Sequence, residues 1–282
     1  QLTSKLVPLV ALKDLQKDFG FEVPANLDDV VNKTIAKLLA HQRYDGNFGL
    51  WADSPATNPW ATIYAAWGLN QAKKAGYAVP ASAVAYSKLA LEGLFEGDKD
   101  TAVKRAGPFA LLVLAEMGEA DAARASLLYE QRAELPLYSK AMLLSAMVLS
   151  KNDPANIAEL TKELESKISL DGPIGRTTEN LGSDYAPYLD SNVRTSALVL
   201  SALLRANPKH PMAAPLALGL VADRRGSEWR TTQEAAWALL ALGDYRRAFE
   251  AEEPDFIART FFGDDVLFEQ TFKGRSLSEQ KS

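Results

Sequence analysis

Trp60-Ala-Thr-Ile-Tyr-Ala-Ala-Trp67 holds no charged side chain and is apolar around most of a helical wheel. Phe109–Ala115, Ala141–Leu149, Ser196–Leu204 and Ala235–Leu242 read the same way. A helix that is apolar on most sides is buried on most sides. Between these stretches lie helices with one charged face, as in Asp29–Gln42 and Asp121–Glu134. Such helices belong at a surface. Alternation of the two kinds is what two concentric rings of helices require. Apolar residues recur at three- and four-residue spacing almost throughout, so about twelve helices are predicted. Their ranges are 3–18, 27–42, 59–75, 81–95, 99–117, 121–132, 136–151, 154–168, 190–206, 211–223, 230–242 and 245–252. The predicted fold is all-α: an α/α6 toroid of six helical hairpins with a short β tail. A solenoid of stacked helix pairs is the competing geometry, and unequal loop lengths favour closure because solenoids keep a stricter period.

Local chemistry sets the breaks. Asn58 before Pro59 and Asp153 before Pro154 each place a capping side chain ahead of proline at the first helical position. Gly76 and Gly118 fall where a helix ends in a left-handed residue. Ser169–Tyr188 is rich in Gly, Pro, Asn and Asp and reads as a long loop. A pattern also repeats. A turn-rich loop precedes a helix with an early Thr and an Ala/Leu body at Asp45-Gly46 before Ala61-Thr62, at Asp171-Gly172 before Arg194-Thr195, and at Gly226 before Thr231-Thr232. The buried helices start about 40 to 55 residues apart, within the range of repeat architectures.

From Phe256 the pattern changes. Phe256–Phe262 and Val266–Phe272 around Gly263-Asp264-Asp265 read as two strands and a turn. Two strands make no independent domain. The chain therefore divides into a helical domain over 1–255 and a strand-like tail over 256–282 that leads into an adjoining β domain.

Composition closes off several functions. A formal charge of −5 and a pI near 5.3 leave no basic footprint for nucleic acid. No apolar run reaches the roughly 20 residues a membrane span needs. No basic-then-apolar leader opens the chain, as expected of a mature or excised segment. There is no cysteine, which removes disulfides, thiolate metal sites and thiol nucleophiles from this chain. His41 and His210 are the two histidines, too few for an all-histidine metal site, and both are expected to be solvated.

Three segments, in order, are similar to bacterial α2-macroglobulin thioester domains. Asp45-Gly-Asn-Phe-Gly-Leu-Trp51, followed by Pro59–Tyr64 and Gly76–Pro80, resembles one family segment. Trp229-Arg-Thr-Thr-Gln-Glu-Ala-Ala-Trp-Ala-Leu-Leu-Ala-Leu242 resembles the signature of the last inner helix. Gln1–Pro8 resembles the stretch that begins with the final residue of a Cys-x-Glu-Gln motif. The resemblance covers essentially the whole chain. It implies a trap for proteases, in which a Cys thiol and a Gln side-chain carbonyl form an internal thioester. Attack by a protease exposes the thioester, and an amine or hydroxyl of the attacker displaces the thiolate and is captured. A hydrophobic shield keeps water away until then.

On this resemblance Gln1 is the thioester acyl half, if the parent chain carries the Cys, and the isolated chain is not catalytic. Leu2 departs from the small polar residue common in the family. Some relatives place a histidine in the stretch matching Ala102–Leu114, and its absence here implies a preference for amines. Trp51, Trp60, Tyr64 and Trp229 are candidates to line a shield or cleft. Aromatic residues at helical spacing are otherwise core, with each indole N–H needing an acceptor. The implied partners are target proteases and neighbouring macroglobulin-type β domains of the same parent. The implied location is the periplasm or cell envelope, with a lipid anchor in the parent. No cofactor or metal is implied.

A carbohydrate-active enzyme on the same toroid is the alternative. It needs two carboxylates roughly 5 to 10 Å apart across a cleft, for which Asp45, Asp53, Asp184, Asp190 and Glu234 are candidates. Asp45 and Asp171 also suit Asp-Gly turns, and Glu234 suits a helix start. A third reading is a non-covalent recognition or scaffold domain without a thioester.

Overall fold

The structure, a computed structural model, describes residues 1–19, 22–51, 56–96, 100–182, 190–226, 228–249, 255–263 and 265–273. Six helices form an inner ring: α1 (Leu2–Phe19), α3 (Pro59–Lys74), α5 (Asp100–Glu116), α7 (Leu137–Leu149), α9 (Asn192–Ala206) and α11 (Thr232–Phe249). Each packs on the next, and α1 packs on both α3 and α11. That last contact closes the ring and excludes the open solenoid. Outside it lie α2 (Leu27–Leu39), α4 (Ala81–Glu92), α6 (Ala122–Glu130), α8 (Pro154–Glu165) and α10 (Ala213–Ala222). Each covers the seam between two neighbouring inner helices.

The burial follows the charge pattern. α3, α7 and α9 are buried along most of their length, whereas α8 buries only Leu160 and Leu164. One core cluster runs through the ring interior from Val7 to Ala241, and a second seals α1, α2 and α3 around Val31, Phe48 and Leu69. Each fully buried Leu or Val contributes about 1.5–3 kcal/mol by leaving water.

The predicted caps form. Asn58 Oδ1 accepts from Ala61 N at 2.9 Å and Asp153 Oδ1 from Ala155 N at 2.8 Å. Gly76 and Gly118 take φ of 90° and 91° at the ends of α3 and α5. The repeat also has a structural basis. Each of its three loops is a small antiparallel turn: Gln42 bridges Phe48, β1 (Ile168–Asp171) pairs with β2 (Ile174–Thr177), and Arg225 bridges Glu228. In the first two, the returning backbone is tied to a hydroxyl of the helix it precedes. Phe48 N donates to Thr62 Oγ1 at 2.9 Å, and Thr177 N donates to Ser196 Oγ at 3.0 Å. Gly46 has φ 81°, and a Cβ there would lie 1.9 Å from the Tyr86 carbonyl oxygen of α4.

Three expectations are corrected. The long loop read over Ser169–Tyr188 begins with the β1–β2 hairpin; its residues 183–189 lie outside the described residues. The separate helix expected over 245–252 is, through 249, a continuation of α11. Gly243-Asp244 reads as a break, yet Asp244 is fixed by Ser201 Oγ at 2.9 Å and Arg247 Nη2 at 2.6 Å. Packing of this kind offsets the roughly 1 kcal/mol that glycine costs a helix. His210 is buried rather than solvated, and its Nδ1 accepts from Met212 N at 3.2 Å.

The tail is an antiparallel hairpin of β3 (Asp255–Phe262) and β4 (Asp265–Lys273), with a register shift between Thr260 and Phe261. Phe256, Ile257, Phe262, Leu267 and Phe268 are all exposed by more than half. Among the described residues, no helix is long and apolar enough to cross a membrane.

Candidate functional site

The six inner helices run in the same direction. Ser4 meets Tyr64 near the starts of α1 and α3, Gln71 meets Glu116 near the ends of α3 and α5, and α9 joins α11 through Ser191–Glu234 and Ser201–Asp244. Their N-termini therefore gather at one end of the ring, where α1 begins. Gln1 is exposed there, and its carbonyl oxygen accepts from Lys5 N at 3.0 Å as the first helical bond.

Behind Gln1 the site is closed and polar in a few places only. Thr3 and Ser4 are buried against α3, and a Cβ on Gly68 would meet the Thr3 methyl at 2.6 Å. Ser4 Oγ and Tyr64 OH share a buried hydrogen bond of 3.1 Å. Burial pushes the Tyr64 phenol up to about 12, against the Ser4 bond and the Arg194 charge that pull it down. Tyr64 is thus a protonated hydrogen-bonding group near neutral pH, not a base.

Arg194, at the start of α9, is fully buried. Its guanidinium lies 4.5 Å from the Tyr138 ring centre and 5.6 Å from that of Trp60. Burial pulls its pKa below the ordinary arginine value, opposed by Tyr138, Glu179 and Asp190. Cation–π contacts hold a guanidinium in a site that a lysine would not fill. Glu179 ties neighbouring helix starts together: its carboxylate accepts from Leu137 N at 2.7 Å, Tyr138 N at 3.2 Å and Thr195 Oγ1 at 2.8 Å.

The four candidate aromatics separate. Trp60 and Tyr64 belong to a buried chain of rings with Trp67, Phe109, Tyr138 and Trp237. Trp229 is half-buried and its indole N–H donates to the Leu220 carbonyl at 3.0 Å. Trp51 is 76% exposed, beside exposed Leu50 and near exposed Tyr44 in the loop before α3. The structure thus puts Gln1 and the Ser4–Tyr64 pair at the same end of the ring, and leaves Trp229 packed against α10.

Of the candidate carboxylates, Asp45 accepts from Asn47 N at 3.1 Å in its turn. Glu234 is buried between Ser191 Oγ at 2.5 Å and Arg230 Nη2 at 3.4 Å. Asp190 is exposed, and Asp53 and Asp184 lie outside the described residues. Among the described residues, no group of three or more His, Cys, Asp or Glu is placed to hold a metal. Sequence reasoning missed Ser4, Glu179 and Arg194. Arg194 carried a signal: it is a cation in the first turn of a helix whose next ten residues, Thr195–Leu204, carry no charge.

No family model matches the chain. An alpha-2-macroglobulin homolog of Nostoc sp. is 24% identical over 280 residues, covering 96% of this chain and 14% of that protein. The crystal structure of Salmonella alpha-2-macroglobulin reacted with methylamine superposes with a TM-score of 0.71 at 22% identity, over 97% of this chain and 18% of that one. Escherichia coli alpha-2-macroglobulin activated by porcine elastase gives a TM-score of 0.68 at 24% identity, over 95% of this chain and 24% of that one. The sequence and structure neighbours of this chain are bacterial alpha-2-macroglobulins, and it spans less than a quarter of the length of each of these three.

Proposed function

We propose that the chain is the thioester-type domain of a longer, bacterial alpha-2-macroglobulin-like protease inhibitor. The observation that carries this is the position of Gln1. It is an exposed residue at the start of α1, in a fold shared with alpha-2-macroglobulins over nearly the whole chain. In that reading Gln1 supplies the acyl carbon, and a cysteine ahead of it in the parent supplies the thiol. A thiolate leaves an acyl group far more readily than an amide nitrogen does. An amine of an attacking protease would then form an amide with Gln1 as the thiolate departs with the electron pair. This chain alone lacks cysteine and does no such chemistry.

The buried Ser4–Tyr64 pair and the Arg194 ring contacts support a rigid seat beneath Gln1. Exposed Trp51, Leu50 and Tyr44 give an apolar surface for neighbouring macroglobulin-type β domains to cover, which would keep water from the acyl group. The exposed faces of the β3–β4 hairpin suit continuation into such a domain. A periplasmic or envelope location, with a lipid anchor in the parent, goes with this role.

The test is capture. Full-length parent incubated with trypsin should give an adduct that survives boiling in detergent, and the Gln1→Ala variant should give none. Adduct formation that is unchanged by Gln1→Ala would reject the role of Gln1. Inhibition with no adduct would favour a non-covalent recognition domain.

A further inference from the structure

Three inner helices bring a line of polar groups to the head of the ring, where the helices start. Trp67 of α3 and Trp237 of α11 stack across the interior with ring centres 4.1 Å apart. One turn nearer the head stand Tyr64 and Gln233. Residues three or four apart share a helix face, and α3 and α11 run in the same direction. Tyr64 and Gln233 therefore face each other as the two indoles do. From α1, which packs on both helices, Ser4 Oγ reaches Tyr64 OH at 3.1 Å. Gln1 lies one more turn towards the head, on the same face of α1 as Ser4.

The hydrogen bonds along this line have one direction that fits. Gln233 is 5% exposed, and its Nε2 completes no hydrogen bond of normal length among the described residues. It faces the phenol all the same. Burial raises the Tyr64 pKa, and the Gln233 amide pulls against it, as a donor to the phenol oxygen does. A phenol has a single proton. With its oxygen turned to the Gln233 amide, that proton goes to Ser4 Oγ. The Ser4 proton is then left to donate elsewhere, and Tyr64 is the one hydrogen-bond partner of Ser4 Oγ among the described residues. A helical Cα–Cβ bond tilts towards the N-terminus, so this hydroxyl leans towards the turn that holds Gln1. Cβ atoms one turn apart are about 5–6 Å from each other.

We propose that the Ser4 hydroxyl donates a hydrogen bond to the acyl oxygen of Gln1, with Tyr64 and Gln233 as positioning residues behind it. This rests on Gln1 being the acyl half of a thioester with a cysteine of the parent. The nitrogen of an attacking amine bonds to the acyl carbon, and the carbonyl pair moves onto oxygen, where Ser4 stabilises the charge. The carbonyl then re-forms as the carbon–sulfur bond breaks. The pair leaves with the thiolate, which takes up the proton that the amine loses. The acceptor belongs to the same helix, so no outside ligand has to reach the buried hydroxyl.

The test is the rate at which methylamine releases a thiol from the full-length parent at fixed pH. Ser4→Ala should slow release about tenfold or more. Ser4→Thr, which keeps a hydroxyl, should recover most of that loss. Gln233→Leu should slow release about threefold by removing the donor that orients the phenol. It carries the test alone if Ser4→Ala does not fold. The sign separates this role from a structural one, because loosening the head of α1 exposes the acyl group and speeds attack. A rate unchanged or raised by Ser4→Ala, or by Gln233→Leu, in a folded variant would overturn the proposal. An unmodified parent that releases no thiol would overturn the thioester reading itself, and this assignment with it.

Discussion

Ser4 and Tyr64, sixty residues apart in sequence, meet in a buried hydrogen bond of 3.1 Å that fixes the first turn of α1 against α3. Three residues before Ser4 stands Gln1, exposed at the head of the same helix. The bond therefore controls where the head of α1 sits relative to the ring. Tyr64→Phe keeps the ring packing and leaves the Ser4 hydroxyl buried without this partner. The expected cost is about 1–2 kcal/mol in chemical denaturation. In the unmodified protein, absorbance titration should show this phenol ionising only near pH 12, about two pH units above an exposed tyrosine. A denaturation midpoint unchanged by Tyr64→Phe would remove the bond from the structural argument.

Gly46 and Gly76 both have positive φ, but they differ in what surrounds them. A methyl at Gly46 would strike the Tyr86 carbonyl, whereas nothing lies within 4 Å of one at Gly76. Gly76→Ala should cost about 1–2 kcal/mol for the left-handed backbone alone. Gly46→Ala adds a clash against backbone, and should cost about 3 kcal/mol or more. Thermal melts of the two variants give the ranking directly. Equal losses would mean that the loop before α3 is free to move off α4.

Burial lowers the pKa of His210, with Glu165 opposing it. Its Nδ1 accepts a backbone N–H, so the folded state holds the neutral ring. With the folded pKa below the ordinary 6.5, the unfolded chain takes up a proton first as pH falls. Stability should be fully present above about pH 6.5 and decline towards the folded pKa. His210→Asn, which keeps an acceptor but not the titration, should flatten the melting temperature between pH 7 and 5. A slope identical to that of the unmodified protein would assign the loss to other groups.

Glu179 holds the starts of α7 and α9 together through three accepted hydrogen bonds. Glu179→Ala removes all three and should cost about 2 kcal/mol, while Glu179→Gln keeps one acceptor and should cost about half as much. Urea denaturation of the pair tests the order. A smaller loss for Ala than for Gln would contradict a capping role.

The ring was legible because its evidence is local and periodic. Charge-free stretches such as Trp60–Trp67 and Ala141–Leu149 can only be buried on most sides; Asn58, Gly76 and Gly118 marked ends of the buried α3 and α5, and Asp153 marked the start of the outer α8. Closure was not local. It rests on α1 meeting α11, a contact between the two ends of the helical domain that no window of sequence displays. Gly243-Asp244 misled because a glycine tolerated by packing looks the same in sequence as one that ends a helix. His210 misled because Lys209 and Pro211 beside it suggest a surface turn, while burial is set by what packs over that turn. At the candidate site, Gln1, Trp60 and Tyr64 were singled out, but Ser4, Glu179 and Arg194 were not. Their roles depend on partners 16 to 60 residues away.

The most direct measurement is a thiol count on the full-length parent before and after methylamine, with intact mass recorded alongside. A thioester whose acyl half is Gln1 predicts one new free thiol per chain, released in step with one methylamine added at Gln1. Undegraded protein that shows neither a new thiol nor an adduct would contradict covalent capture, and would leave this ring as a structural or non-covalent recognition domain.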